Sequence, residues 1–227
     1  MSKRILLVED DESLGFVIKD NLVLRGYAVD LFETGSTAWQ EYQTCDYDIC
    51  LLDIMLPHMD GLSLAKNIRG VNRAIPIIFL TARSMQEDKL AGFEIGVDDY
   101  ITKPFSMEEL IYRIEVFLKR SMIISQSSGD IHLGNYRFDS VEFKLYYQDQ
   151  MTKLTRRESE ILYYLYQRIN VVCKREELLL ALWGDDDYFK GRSLDVFISK
   201  LRKYLSHDPC LDIENIHGVG FKLSLKH

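Results

Sequence analysis

The chain has 227 residues, 47% of them hydrophobic, and a formal net charge of −7. This length suits one large domain or two small ones, and no apolar run approaches the roughly 20 residues that a membrane-spanning helix needs. The four cysteines show no CxxC or Cys/His spacing, and the start of the chain has no signal-peptide pattern. We therefore expect a cytoplasmic protein with reduced thiols and no membrane partner.

The charge is unevenly distributed along the chain. Residues 1–122 carry 13 basic and 20 acidic side chains, whereas residues 123–227 carry 15 of each. The acidic average therefore does not exclude nucleic acid as a partner of the second half.

The first half alternates short apolar runs with helical patterns. The β-prone runs are Ile5–Val8, Ile49–Leu52, Ile77–Leu80 and Tyr100–Ile101. Helical periodicity is present at Leu14–Arg25, Gly35–Gln43, Gly61–Arg69, Met85–Ile95 and Met107–Lys119, the last with a Ser106/Glu109 capping box. A βα unit repeated five times predicts a doubly wound α/β domain with a five-stranded parallel sheet over residues 1–120.

Reactive side chains follow these apolar runs. They are Glu9-Asp10-Asp11, Asp53, Thr81 and Lys103-Pro104. Because the carboxyl ends of parallel strands meet at one edge of a sheet, we expect these groups to form one site. The alternative, that such acids are helix N-caps or solvated loop residues, stays open for Asp11 and Glu12 taken singly.

Three acids beside one amine indicate a site for a divalent cation and a phosphoryl group. Mg²⁺ prefers oxygen ligands, which fits Asp10 and Asp53 as direct ligands. The backbone carbonyl of Met55 would be a third ligand, and Glu9 would act through water. Asp53 would be a carboxylate nucleophile, because the cation offsets its repulsion from phosphate. Lys103 would supply positive charge, Thr81 a hydroxyl donor, and the Lys103-Pro104 peptide is a candidate for the cis form.

The pattern changes after residue 120. The run of residues 121–129 breaks all periodicity and is interpreted as a linker. Residues 130–227 then show short strands at Ile131–Tyr136, Tyr136–Asp139, Lys144–Tyr147 and Met151–Leu154, helices near Arg156–Arg168, Arg175–Leu182 and Arg192–Ser206, and a hairpin of Ile213–His217 with Gly220–Leu225. This order predicts an α+β winged helix-turn-helix domain.

The third of these helices is amphipathic with a basic outer face. Its inward stripe is Leu194, Phe197, Ile198, Leu201 and Leu205, and its outer stripe is Arg192, Val196, Ser199, Lys200 and Lys203, with Arg202 beside it. Such a helix fits the DNA major groove. We assign Val196, Ser199 and Lys200 to base edges, and Arg192, Arg202 and Lys203 to phosphates.

Taken together, these motifs resemble a known family. Val8-Glu9-Asp10-Asp11, Leu51 to Pro57 with Asp60-Gly61, Leu80-Thr81-Ala82 and Asp98 to Phe105 are similar to the flavodoxin-like receiver domain of two-component response regulators. With the second half, which includes Arg192 to Lys203, the whole chain resembles the OmpR/PhoB family of bacterial transcription factors.

The resemblance implies roles for the acidic site. A sensor histidine kinase would donate a phosphoryl group to Asp53, and Glu9, Asp10 and Asp53 would bind Mg²⁺. Thr81 and Tyr100 would relay the phosphorylated state to the far face of the domain. Met55 and Arg83 stand where this family tunes phosphoryl lifetime, and neither suits the orientation of a water, so slow self-hydrolysis is expected.

The resemblance also implies a homodimer through the fourth helix, fifth strand and fifth helix of the receiver domain. The matching charged residues are Lys89, Glu94, Asp98, Asp99, Glu109, Arg113, Glu115 and Arg120, around an apolar centre of Leu90, Phe93 and Tyr112 or Ile111. Glu94 falls opposite Glu115, where relatives carry a basic residue, so dimer strength stays open. The alternative is a solvated helix face.

In the second domain, the resemblance makes the hairpin a wing that contacts DNA with His217 and Lys222. His217 stands where relatives often carry Arg, which predicts a weaker or pH-sensitive contact with the minor groove. The acidic loop 184–189 matches one that contacts RNA polymerase in this family, although a solvated loop is an equal alternative.

The leading interpretation is a phosphorylation-controlled, sequence-specific DNA-binding regulator rather than an enzyme. One alternative is a regulator that acts independently of phosphorylation. Another is an aspartyl-phosphate phosphohydrolase, which typically needs a second Asp two positions after the nucleophile, where this chain has Met55.

Overall fold

The computed structural model describes residues 2–82, 94–124, 130–184 and 188–226. The chain divides into two compact units, Met1–Ile123 and Ile124–His227. Among the described residues, no helix combines the length and the apolar character that crossing a membrane requires. Helices are numbered below in chain order among these described residues.

The first unit is a three-layer α/β domain. Its strands are β1 (Arg4–Val8), β2 (Ala28–Phe32), β3 (Ile49–Asp53), β4 (Ile77–Ala82) and β5 (Asp99–Lys103), and its helices are α1 (Glu12–Leu24), α2 (Gly35–Tyr42), α3 (Gly61–Val71) and α4 (Met107–Ile124). All five strands are parallel, in the order β2-β1-β3-β4-β5. The predicted doubly wound sheet is therefore confirmed.

The central strands are buried on both faces, as their continuous apolar runs require. Ile5–Val8 and Ile49–Leu52 have no solvent exposure, and they form the middle of the sheet. Side chains also fix where the helices begin. The Asp11 carboxylate accepts from the amides of Ser13 and Leu14 at 2.9 and 3.0 Å, so Asp11 is the N-cap of α1. Of the roles considered for Asp11 in the sequence analysis, the structure therefore shows the helix N-cap.

The described part of the second unit contains two antiparallel sheets and three helices. A four-stranded sheet comprises β6 (Asp130–Leu133), β7 (Tyr136–Asp139), β8 (Lys144–Tyr147) and β9 (Gln150–Lys153), followed by α5 (Arg156–Tyr166), β10 (Cys173–Lys174), α6 (Arg175–Trp183), α7 (Tyr188–Leu205), β11 (Leu211–Ile216) and β12 (Gly220–Leu225). The last three strands form a sheet in the order β10-β12-β11. This is the winged helix architecture that the sequence predicts.

Several boundaries differ from the prediction, and the two largest extensions of helices have a clear cause in the sequence. Helix α4 continues to Ile124, because Met122, Ile123 and Ile124 do not interrupt a helix, so the predicted linker at 121–129 begins too early. Helix α7 begins at Tyr188, four residues before Arg192, because an isolated Gly191 is tolerated in a helix.

Candidate functional site: an acidic sheet edge and an exposed helix

Three carboxylates meet at the carboxyl edge of the parallel sheet. Glu9 and Asp10 follow the last residue of β1, and Asp53 is the last residue of β3. One ligand atom from each of the three lies within 4.8 Å of the others. Glu9 is fully buried and Asp53 nearly so, whereas Asp10 is exposed. The cluster thus has two buried carboxylates and one that faces solvent, so a ligand can reach it from the solvent side.

Lys103, at the end of β5, reaches into this cluster. Its ammonium group donates to Glu9 Oε1 at 2.6 Å and to Asp53 Oδ2 at 2.5 Å. Burial would lower the pKa of Lys103, but the hydrogen bonds and charges of Asp53 and Glu9 outweigh burial and raise it. The two carboxylates therefore favour the charged form of Lys103. The peptide bond to Pro104 is cis.

Glu9 bears an oxygen suited to a ligand. Burial raises the pKa of Glu9 to about 7, against the opposing effect of the Lys103 ammonium group. Its Oε2 atom is buried and has no hydrogen-bond partner among the described residues. Carboxylate oxygens with open lone pairs are the donors that Mg²⁺ prefers, so this donor set fits that ion.

The backbone around Asp53 holds its carboxylate in place. The Met55 amide donates to Asp53 Oδ1 at 2.9 Å, and the Met55 side chain is more than half exposed. The Gly61 amide donates to the Ile54 carbonyl at 2.9 Å, which brings the start of α3 against the end of β3. The predicted role of the Met55 carbonyl as a metal ligand stays a prediction.

The two predicted relay residues are both inside the domain. Thr81 lies near the end of β4 with no exposure, and the Tyr100 side chain in β5 is 8% exposed. The Tyr100 ring centroid lies 5.4 Å from that of Phe79, its register partner in β4. The ring is therefore already turned inward. Arg83 lies outside the described residues.

The structure corrects one member of the predicted dimer face. Asp98 has no exposure, because its carboxylate accepts from the Arg69 guanidinium at 2.6 Å and from the Ile77 amide at 2.9 Å. An aspartate enclosed in this way is unavailable to a second subunit. Sequence reasoning missed this buried pair, since Arg69 stands in the last turn of α3, where a basic residue is commonly solvated.

Some of the other charged residues of the predicted dimer face form ion pairs within the chain. The Arg113 guanidinium contacts Asp99 at 2.9 Å and Glu109 at 3.0 Å. Glu94 is exposed and Glu115 is half-buried, whereas Tyr112, at 60% exposure, is the surface member of the predicted apolar centre. Lys89, Leu90, Phe93 and the side chain of Arg120 lie outside the described part of the chain.

Helix α7 buries the predicted inward stripe and leaves the outer stripe partly exposed. Leu194, Phe197, Ile198, Leu201 and Leu205 are at most 1% exposed. Ser199 and Lys203 are exposed, and Val196 is half-buried. The Phe197 ring packs 6.2 Å from that of Trp183 in α6, which joins the two helices of the helix-turn-helix. The Arg192 side chain lies outside the described residues.

Three of the predicted DNA-contacting cations have intramolecular partners. Arg202 Nε donates to the Ile213 carbonyl at 2.6 Å. Lys222 contacts Glu214 at 3.1 Å. The Lys200 ammonium lies 3.9 Å from Oε1 of Glu158, whose side chain is fully buried. This distance is short enough for an ion pair but too long for a hydrogen bond. His217 is exposed at the tip of the β11–β12 hairpin, beside Gly218, which has a φ of 70°.

Sequence reasoning missed a further ion pair on this surface. The Arg175 guanidinium, at the start of α6, contacts both carboxylate oxygens of Asp195 in α7. The two residues help to line a cleft of about 670 Å³ beside the β11–β12 hairpin. The available signal was the position of Asp195, four residues before Ser199 on the outer face of the helix.

Family models match both units of the chain. The response regulator receiver domain matches residues 5–115, and the C-terminal domain of transcriptional regulatory proteins matches residues 149–223. The transcriptional regulatory protein RprY of Bacteroides fragilis is 46% identical over 97% of this chain and 94% of its own length. The alkaline phosphatase synthesis transcriptional regulatory protein PhoP of Bacillus subtilis is 36% identical over 98% and 97%.

Solved structures agree with these relatives. A RitR mutant superimposes with a TM-score of 0.77 at 29% identity, over 98% of this chain and 99% of that one. Response regulator DrrB of Thermotoga maritima, an OmpR/PhoB homologue, gives a TM-score of 0.51 at 30% identity, over 99% and 100%. RprY and PhoP are both named as transcriptional regulatory proteins. On domain content and similarity along its whole length, the chain belongs to the OmpR/PhoB family of two-component response regulators.

Proposed function

We propose that the protein is a phosphorylation-controlled, sequence-specific transcriptional regulator. A sensor histidine kinase phosphorylates Asp53, the protein dimerises, and the winged helix domain binds promoter DNA and engages RNA polymerase. The observation that carries this proposal is the Asp53 carboxylate, nearly buried at the end of β3 and hydrogen-bonded by both Lys103 and the Met55 amide. A carboxylate oriented at an open, acidic sheet edge is placed for nucleophilic attack.

The transfer itself is a substitution at phosphorus. A carboxylate oxygen of Asp53 forms a bond to the phosphorus atom of a phosphohistidine, the P–N bond breaks, and the imidazole nitrogen leaves with the electron pair. Lys103 supports the transfer because its ammonium group lies against the nucleophile and neutralises charge on the phosphoryl oxygens. Glu9, Asp10, Asp53 and the Met55 carbonyl would hold Mg²⁺, which supplies positive charge that offsets the repulsion between carboxylate and phosphoryl group.

Phosphorylation would be communicated by Thr81 and Tyr100. A dianion on Asp53 would attract the Thr81 hydroxyl, and the Tyr100 ring would fill the space that Thr81 vacates. Both side chains are buried, which supports a coupled rearrangement of the two. The dimer surface would then comprise Lys89, Glu94, Asp99, Glu109, Arg113, Glu115 and Arg120. Within its own chain, Arg113 contacts both Asp99 and Glu109. In the dimer, Arg113 would instead pair with Asp99 of the second chain, and Glu109 would pair with Lys89.

The DNA surface is proposed on the exposed face of α7 and on the hairpin. Val196, Ser199 and Lys200 would approach base edges, and Arg192, Lys203, His217 and Lys222 would approach the sugar-phosphate backbone and minor groove. Arg202 would contribute less directly, because its Nε atom is bound to the Ile213 carbonyl. The exposure of Ser199 and Lys203 supports this assignment.

The full chain, incubated with Mg²⁺ and a small acyl-phosphate donor, tests the proposal. We expect intact-protein mass to show one added phosphoryl group per chain, and light scattering to show a shift from monomer toward dimer. The phosphorylated protein should then enrich a defined sequence from random double-stranded DNA. Complete phosphorylation without any sequence enrichment would contradict the proposed function, and a chelator added before the donor should prevent phosphorylation.

A Lys203→Ala variant should bind the enriched DNA more weakly at every sequence. Lys203 is exposed on α7, and each lysine–phosphate contact releases counterions on binding. The slope of log affinity against log salt concentration should therefore decrease in magnitude by about 0.9. Fluorescence anisotropy titrations at several salt concentrations measure this slope. An unchanged slope would show that Lys203 does not contact a DNA phosphate.

A further inference from the structure

An acidic side chain lies on the exposed face of α7, among residues proposed to contact DNA. Asp195 directly precedes Val196 and lies one helical turn before Ser199, and its side chain is 52% exposed. A carboxylate at this position repels the phosphate backbone, so it opposes nonspecific binding. A favourable contact between Asp195 and one particular DNA base would explain why an acid stands at this position.

Arg175 holds this carboxylate in one orientation. The guanidinium donates to Asp195 Oδ1 from both Nη atoms, at 3.0 and 2.6 Å, and to Oδ2 at 2.5 Å. The same side chain donates to the Gly191 carbonyl at 3.3 Å and lies 5.5 Å from the centroid of the Phe221 ring. Contacts with α7 and β12 therefore fix the guanidinium, and the guanidinium fixes the carboxylate.

Arg175 also connects helix α7, which its side chain contacts, to the β11–β12 hairpin, which its backbone contacts, and these are the two elements proposed to contact DNA. Its amide donates at 3.0 Å to the carbonyl of Val219, in the turn between β11 and β12. The residue that orients Asp195 is thus attached to the hairpin that forms the proposed wing. Asp195 is preorganised relative to both the helix and the wing, which is the condition for a side chain that discriminates between bases.

The carboxylate retains capacity for a further hydrogen bond. An ionised carboxylate offers about four lone-pair sites and no donor, and the Arg175 fork makes three contacts. In the major groove, cytosine presents its N4 amino donor, whereas guanine presents two acceptors and thymine an acceptor and a methyl group. Adenine presents a donor beside the N7 acceptor, which repels a carboxylate. Cytosine therefore matches this group best.

We propose that Asp195 is a specificity-determining residue that accepts a hydrogen bond from the N4 amino group of a cytosine, with Arg175 as its positioning residue. This inference rests on the proposed function, because it requires that α7 enters the major groove. It adds a base preference, and it assigns the acid on the basic face to base recognition beside Val196, Ser199 and Lys200.

Selection from random DNA with matched variants tests this inference. The wild-type protein should enrich a motif with cytosine at one position in each half-site. Asp195→Asn should lower the preference for cytosine at that position by about tenfold while the rest of the motif persists. Asp212→Asn is the control, since it removes the same charge from an exposed residue of β11 and should leave the motif unchanged. Arg175→Lys should give an intermediate loss, because lysine retains the charge but not the fork.

The outcomes distinguish a failure of the Asp195–cytosine contact from a failure of the proposed DNA-binding function. If the wild type enriches a motif and Asp195→Asn retains the full cytosine preference, the ion pair only joins α6 to α7 and the inference is wrong. If the wild type enriches no motif, the proposed function fails and the inference fails with it. Should Asp195→Asn unfold in a thermal scan, Asp195→Glu keeps the charge with a longer side chain and should still reduce the cytosine preference.

Discussion

Replacement of Asp53 by Asn is expected to reduce covalent phosphorylation from one group per chain to none. The amide is nearly the same size and can still contact Lys103 through its oxygen, but it lacks the anionic oxygen that attacks phosphorus. Intact-protein mass after incubation with an acyl-phosphate donor and Mg²⁺ measures this directly. The dimer detected by light scattering should disappear together with the added mass.

Asp46→Asn is the matched control for this experiment. Asp46 is exposed and lies before β3, outside the cluster of Glu9, Asp10 and Asp53, and the substitution removes the same charge. We expect the control to be phosphorylated as fully as wild type. If Asp53→Asn still gains a phosphoryl group, a different side chain is the acceptor, and peptide mapping of the modified protein would identify it.

Gly61→Ala is expected to destabilise the first unit by about 3 kcal/mol or more. A methyl group at Gly61 would overlap the Asp53 carbonyl oxygen and lie 2.9 Å from Ile54 Cα. Both contacts are with backbone, so relief requires that the end of β3 moves away from α3. The substitution should therefore also slow phosphorylation of Asp53. Urea denaturation of the full chain, followed by circular dichroism, measures the stability change.

Gly70→Ala, on the same helix, is the opposite case. Nothing lies within 4 Å of a methyl group at Gly70, so the only expected effect is the higher helix propensity of alanine. This variant should be more stable than wild type by about 0.5–1 kcal/mol. Equal destabilisation by the two substitutions would show that close packing at Gly61 is not the cause.

The sequence predicted the acidic cluster because strand ends follow from local patterns. Apolar runs identify the strands, helical patterns between them require parallel connections, and residues that follow parallel strands must meet at one edge. The same logic identified the buried stripe of α7, where Leu194, Phe197 and Leu201 have no exposure. The cluster needs a periodic pattern and one topological rule, and the buried stripe needs the helical period alone.

Pairings between distant residues could not be predicted in this way. Arg69 and Asp98 are 29 residues apart, and no periodicity connects the last turn of α3 with the residue that precedes β5. The Arg175–Asp195 contact likewise depends on how α6 packs against α7. Local sequence specifies which side of an element is buried, but a partner on another element is determined only by tertiary packing. Asp98 was for this reason assigned to the surface.

The intramolecular partners of Lys200, Arg202 and Lys222 affect how a mutational survey of the DNA surface should be interpreted. Alanine at any of these positions removes a proposed DNA contact and also removes one intramolecular contact of the free protein. A loss of affinity would then combine two causes. Double substitutions that also replace Glu214 or Glu158 would separate them, because the coupling energy isolates the contribution of each internal pair. For Lys203, which is exposed, the single substitution is sufficient.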